Sequence, residues 1–291
     1  MSSLDTYKLH EANRLSWNEA TIAHNSHKRD QHIFLRDGGS TLYNEEKELL
    51  GNLAGLSVCH LQCNSGQDTL SLVSKLGAEN PVGVDISDSA IEFATNLSKD
   101  SGLKATFIRS EVFEYCETTE PNQFDVVFVS YGALGWLCSM KRWAAGIQRI
   151  LKPGGRLVLI EFHSGGMMFN DKKEHVYPYS SGGVPFQEDG VGDYVAWSAS
   201  GTGEVQPSLM YEVGIEGFQN KHPSHEFCWG LADVLGPLTE TGLSMTHFKE
   251  YPYSNFFKPF KQMIVEQTAE GPRYRNDGPM LPLMYSIIFK K

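Results

Sequence analysis

The sequence predicts an α/β protein with a doubly wound parallel sheet, an N-terminal helical cap and a β-rich insertion. Three observations predict it. Short apolar runs of strand length alternate with stretches of helical period between residues 56 and 162. One of them, FDVVFVS at 124–130, carries a continuous apolar run, as a strand covered on both faces must. After His163 the rhythm breaks, and the chain to Ser224 is rich in Gly, Tyr and Ser without a helical period.

Taken in order, residues 5–24 place Leu9, Ala12, Leu15, Trp17 and Ile22 at helical spacing and predict one or two helices across the core. A loop, HNSHKRDQHIFLRDGGS, leads to a short helix over 43–50. Residues 56–62 read as the first strand. Cys63-Asn64-Ser65-Gly66 is a tight turn of residues that tolerate positive φ. Leu70, Leu72, Val73 and Leu76 give the next helix its apolar face, Gly77 stops it, and a second strand ends on Asp85. Strand, turn, helix N-terminus, second strand and an acid about 20 residues on is the layout of a nucleotide-binding first half. In that layout the helix N-terminus and bare amides receive an anionic group, while the acid accepts ribose hydroxyls. The turn lacks the usual run of glycines, carrying Gln62 and Asn64 before Gly66. On spacing alone an ordinary core βαβ unit stays open.

Ser87 is a suitable N-cap for a helix whose stripe is Ala90, Ile91, Ala94 and Leu97. Residues 105–108 read as strand three, 124–130 as strand four, 139–151 as a helix closed by Lys152-Pro153-Gly154-Gly155, and 156–162 as strand five. The segment 163–224 is too long for a structureless loop and predicts a small β-rich lid. A helix over 226–241, a strand over 245–253 and a last strand over 283–289 close the chain. NFFKPFKQ and the stretch to Pro282 read as a second loop at the active-site edge. The expected division is therefore 1–52 helical cap, 53–162 α/β core, 163–224 insertion and 225–291 remainder of the core.

Composition sets bounds on function. A formal net charge of −10 and the absence of clustered Lys and Arg argue against a phosphate-backbone surface. Five cysteines in a chain of 291 residues do not suggest a disulfide framework, and the N-terminus has no apolar core of signal-peptide type. The simplest expectation is a reduced, cytoplasmic protein, monomer or homodimer, with a small-molecule substrate and neither nucleic acid nor membrane as partner.

Four motifs occur in order: HLQCNSGQDTLSL, GVDISDSAIEFA, FDVVFVSYGALGWL, and LKPGG followed by LIEFH. Together they resemble class I S-adenosylmethionine-dependent methyltransferases, and most of all a small-molecule subfamily whose first motif reads HLQC-x-x-GQDTLS. The resemblance implies a Rossmann-like seven-stranded sheet with the last strand antiparallel, and S-adenosylmethionine as cofactor. It further implies that Gln62, Asn64, Gly66 and Thr69 of the first turn hold the methionine end and that Asp85 binds the ribose. Ile86 and Val112 would then enclose the adenine, and Glu111, with Ser110 beside it, would read the adenine amino group. Ser130, at the tip of strand four, and Trp17, from the cap, complete the expected cofactor set.

Methyl transfer from a sulfonium asks the protein for alignment and exclusion of water, and for a base when the acceptor carries a proton. His163 and Tyr131, at the tips of strands five and four, are the candidate bases; a hydrogen-bonded histidine at the base of the lid is the competing reading of His163. Helix N-capping competes for Asp85. His24, Trp136, Tyr177, Tyr179 and His225 are the candidate substrate contacts. His24, His27 and His32 lie within nine residues, but no Cys or carboxylate has matching spacing, so no metal is expected. The predicted activity is methyl transfer to N, O or S of a small metabolite. The alternatives are a non-catalytic cofactor-binding module and an NAD-dependent oxidoreductase, the latter disfavoured by the missing glycine-rich turn.

Overall fold

The computed structural model describes residues 3–196 and 211–291. Seven strands form one sheet in the order β3-β2-β1-β4-β5-β12-β8. These are β1 (Val58–Leu61), β2 (Val82–Asp85), β3 (Thr106–Arg109), β4 (Phe124–Val129), β5 (Leu151–Phe162), β8 (Ser244–Tyr251) and β12 (Met284–Lys290). The first five pair in parallel; β12 lies antiparallel to both β5 and β8. The expected seven-stranded sheet with an antiparallel last strand is the one observed. Its central strands are buried on both faces. Along β4, Val127 and Val129 enter one hydrophobic cluster while Val126 and Phe128 enter the other, so the run Val126–Val129 is apolar because neither face of it meets water.

The helices α4 (Gln67–Leu76), α5 (Asp88–Ser101), α6 (Val112–Thr118), α7 (Met140–Ile150) and α9 (Leu231–Glu240) cover the sheet. Their starts are capped by side chains where the sequence offers one: Ser87 Oγ accepts from the Ala90 amide at 3.1 Å, and Glu111 from the Glu114 amide at 2.9 Å. The cap opens with one long helix, α1 (Ser3–Ser26), docked on the start of α5, where Asn18 Oδ1 accepts from the Ser87 hydroxyl at 2.8 Å.

Three expectations are corrected. The loop after α1 contains a short helix, α2 (Gln31–Arg36). The helix expected over 226–241 begins at Leu231, because Ser224–Glu226 is extended as β7 and pairs with β6 (Phe186–Glu188). The stretch expected as a second loop is a three-stranded antiparallel sheet of β9 (Tyr253–Asn255), β10 (Met263–Gln267) and β11 (Pro272–Asn276), ordered β10-β11-β9. That sheet is bolted to α3 (Asn44–Leu50): Glu45 accepts from Arg273 at 2.6 Å, Tyr253 OH at 2.6 Å and Asn255 at 2.9 Å, and Lys47 pairs with Glu270 at 2.8 Å. Among the described residues no helix is long and apolar enough to cross a membrane.

Candidate active site

The carboxyl ends of β1 to β5 ring one cavity of about 620 Å³. The turn after β1 forms its floor. Gln62, Asn64 and Gly66 alternate through it with φ of 55°, 48° and 78°. A Cβ on Gly66 would lie 2.7 Å from Phe107 and Ala94, so that position needs glycine for space as well as conformation. Asn tolerates the left-handed region; for Gln62 it costs on the order of 1 kcal/mol. Gln62 is held there by its side chain, whose Nε2 donates to the Ala133 carbonyl at 2.7 Å, while its Oε1 is buried on the cavity wall without a partner.

The turn does not offer bare amides, contrary to expectation. The Asn64 amide donates to Asp85 Oδ2 at 2.8 Å, the Ser65 amide to Asn64 Oδ1 at 2.7 Å, and the Gly66 amide to the Cys63 carbonyl at 3.1 Å. The positive charge of this corner comes instead from Lys28, the one Lys or Arg among the described cavity residues. Burial lowers its pKa to about 8, against the pull of Asp68 and Asp193. Asp68 stands opposite at the start of α4, accepting from Thr41 Oγ1 at 2.5 Å, and burial raises its pKa. His60, at the position where related cofactor folds often carry an acid, is neutral: burial lowers it to about 3, and it bonds Thr69 Oγ1 at 2.8 Å and Ser130 Oγ at 3.3 Å.

Asp85 does two jobs at the end of β2. Its oxygens accept from the Asn64 amide and, at 2.9 Å, from the Ser87 amide, which ties the turn to the start of α5. The carboxylate also lines the cavity. Burial raises its pKa against these amides. Glu111 is held by His10 at 3.0 Å and lies beside Val112. Burial disfavours charge on His10, but hydrogen bonds with Cys138 and Glu111 raise it to about 9.

Of the expected cofactor residues, Trp17, Gln62, Asn64, Asp85 and Ile86 line the cavity, as do Ser110, Glu111, Val112 and Ser130. Gly66 and Thr69 lie beneath it, shaping the turn. Among the expected catalytic and substrate residues, Tyr131, Trp136, Tyr177 and Tyr179 reach it, and Trp17 meets Trp136 edge-on at 5.2 Å across its mouth. The sequence also offers the insertion's Phe186, Tyr194, Trp197 and Tyr211 as pocket aromatics; Trp197 lies outside the described residues, and the other three line the cavity.

Three histidines are corrected. His163 points away from the cavity: its Nδ1 accepts from the Gly165 amide at 2.9 Å and its Nε2 donates to Glu250 at 2.8 Å, so no lone pair remains to take a proton. Burial lowers its pKa against the pull of Glu250. His24 is buried behind Tyr194 with Nε2 on the Gly192 carbonyl at 2.9 Å. His27 bonds Asp193 at 2.8 Å and accepts from the Gly214 amide at 3.0 Å. These two latch the insertion to α1. His225 is turned outward by strand alternation, because Glu226 takes the inward face of β7.

Sequence reasoning missed Lys28, Glu46, Asp68, Glu188 and Asn255, all cavity residues, whereas Glu226 is expected, with His225, to face the substrate. Burial and the neighbouring Glu188 raise Glu226 to about 7. Burial also raises Glu46 well above the carboxyl range, and it bonds the Tyr131 hydroxyl, to which Asn255 donates at 3.1 Å. No local motif marks these residues, since each joins the site through tertiary packing.

The residues fit S-adenosylmethionine: a carboxylate on the cavity wall at Asp85, an orphaned amide oxygen at Gln62, and an ammonium at Lys28 with Asp68 nearby. Residues 52–179 match the family model of a methyltransferase domain. No curated protein matches the chain. The fold is similar to that of an S-adenosylmethionine-dependent methyltransferase from Mesorhizobium loti (TM-score 0.52, 16% identity, covering 88% of this chain and 100% of that one). It is also similar to that of another from Clostridium acetobutylicum (TM-score 0.51, 12% identity, 89% and 91%). At these identities the likeness is one of fold. Residues 52–179 thus carry a methyltransferase domain, on a fold shared with S-adenosylmethionine-dependent methyltransferases.

Proposed function

We propose that the protein transfers a methyl group to an N, O or S atom of a small molecule, and that it falls in the HLQC-x-x-GQDTLS subfamily. The observation that carries the small-molecule reading is the cavity. It is lined by α1, the insertion and the start of the three-stranded sheet, and it is walled by aromatics beyond the cofactor corner. The net charge of −10 supports the same reading, since it disfavours a nucleic-acid acceptor.

When bound, S-adenosylmethionine supplies a sulfonium-activated methyl group. The chain's residues do the rest. Asp85 accepts the ribose hydroxyls; Ile86 and Val112 enclose the base, with Glu111 at its edge. Lys28 pairs with the carboxylate end, and Gln62 Oε1 with Asp68 receives the ammonium end. Tyr131, at the tip of β4, orients the acceptor. Trp17 and Trp136 exclude water from the mouth. The four-part division at residues 52, 162 and 224 is read as cap, cofactor core, insertion and completing core. Incubation with S-adenosylmethionine and panels of amines, thiols and phenols tests the reading by S-adenosylhomocysteine release. Release that depends on one acceptor class supports it; no release with any small acceptor sinks it.

A further inference from the structure

The carboxyls around the cavity differ in how they are satisfied. Glu161 accepts from four backbone amides, those of Gly132, Ala133, Leu134 and Phe162. Asp85 has two amides, Glu111 has His10, and Glu270 has Lys47. Glu46 on α3 is the exception. It is 1% exposed, it lines the cavity, and its Oε2 has no partner. The cations nearest along the chain and across the sheet are committed elsewhere: Arg273 to Glu45 and Lys47 to Glu270. A buried carboxyl oxygen left open is kept where something else completes it.

We propose that Glu46 anchors a cationic acceptor, an amine whose N–H donors complete its open oxygen. The surroundings suit a cation. Tyr43, Tyr131 and Tyr211 share that part of the wall, offering ring faces as well as a hydroxyl. Farther along, Glu188 and Glu226 add two more carboxyls, and Lys28 is the only ammonium or guanidinium among the described cavity residues. Burial pushes the Glu46 carboxyl well above its usual range, with Asp68 on α4 and Glu45 beside it also opposing its ionisation and the Tyr131 hydroxyl favouring it. An ammonium arriving beside it reverses that balance, and a charge-assisted hydrogen bond replaces the open oxygen. The anchor fixes the acceptor's orientation whichever of its atoms is methylated. Glu46 precedes the residues that match the methyltransferase domain, so this recognition belongs to the cap rather than to the shared core.

The inference rests on the methyltransferase reading, and one experiment separates the two. The full chain is saturated with S-adenosylhomocysteine and titrated calorimetrically with 2-phenylethylamine and with its uncharged counterpart 2-phenylethanol. The expected result is an amine bound at least about tenfold more tightly than the alcohol. In Glu46→Gln, which keeps the shape and is checked for folding by thermal unfolding, that preference falls to within about threefold while S-adenosylhomocysteine affinity is unchanged. Absence of an amine preference in the native chain overturns the inference, as does a preference that survives in Glu46→Gln. A Glu46→Gln change that weakens S-adenosylhomocysteine and spares the amine also overturns it, by moving Glu46 to the cofactor. Failure of the native chain to bind S-adenosylhomocysteine strikes the methyltransferase reading itself, and the inference falls with it.

Discussion

The cofactor corner and the acceptor wall of the same cavity are built on different principles. The cofactor corner is local. Gln62, Asn64, Asp85, Ile86, Glu111 and Val112 come from three consecutive strand ends, and backbone amides hold its key carboxylate in place. The acceptor wall is assembled from α3, the insertion and the late antiparallel sheet, and it keeps polar groups open: Glu46 Oε2 has no partner, and Glu226 is raised to about 7 by burial and Glu188. In the corner the carboxylate is held from within and the open group is one amide oxygen, that of Gln62; along the wall it is a carboxyl that awaits a ligand to complete it.

The comparison breaks first at Asp85. Asp85→Ala removes the acceptor of the ribose hydroxyls, and hydrogen bonds to a charged group contribute about 1.5–3 kcal/mol each, so cofactor affinity should fall by about 100-fold or more. Calorimetry with S-adenosylmethionine, alongside circular dichroism to show a retained fold, measures it. Unchanged affinity would dissolve the cofactor corner as described. Next, Tyr131→Phe should lower turnover by about tenfold to 100-fold with cofactor affinity within about twofold, since its hydroxyl faces the acceptor wall. Equal losses in both would move Tyr131 to the cofactor side.

A third test is stability against pH. Glu226 keeps its proton to about pH 7 when folded, whereas unfolded it ionises near 4.5. Between those values the folded state holds a proton that the unfolded state has lost, so its contribution is complete below about pH 4.5 and is lost as pH rises through 7. The loss is on the order of 3 kcal/mol. Urea unfolding at several pH values should show that fall, and Glu226→Gln should flatten it. The smallest effect is expected at His163. His163→Gln should cost about 1 kcal/mol of stability through its bonds to Glu250 and Gly165 and leave turnover unchanged. A turnover loss at constant stability would return it to the chemistry.

The same contrast explains what was legible in the sequence. The βαβ unit and Asp85 could be read because turn chemistry and strand length are local properties. Even the departure at Gln62 obeys the motif, since it occupies the left-handed conformation that glycine usually supplies. The three-stranded sheet could not be read. MIVEQ is largely exposed although half apolar, PRYRN is mostly polar yet half-buried, and their sheet is held by contacts with α3 some 200 residues earlier, as in the Arg273–Glu45 pair. His163 was misjudged because a strand tip fixes where a residue starts, not where its side chain points. Glu46 carried no signal at all, being one of several acids in NEEKELL until the fold turned it inward.

The central claim is that the corner formed by β1, β2 and β3 is shaped for S-adenosylmethionine despite lacking the glycine-rich turn. Parallel calorimetric titrations of the purified chain with S-adenosylmethionine and with NAD test it most directly. One-site binding of the first with a dissociation constant on the order of micromolar, and none of the second, is the predicted result. Binding of NAD instead, or of neither, would contradict it.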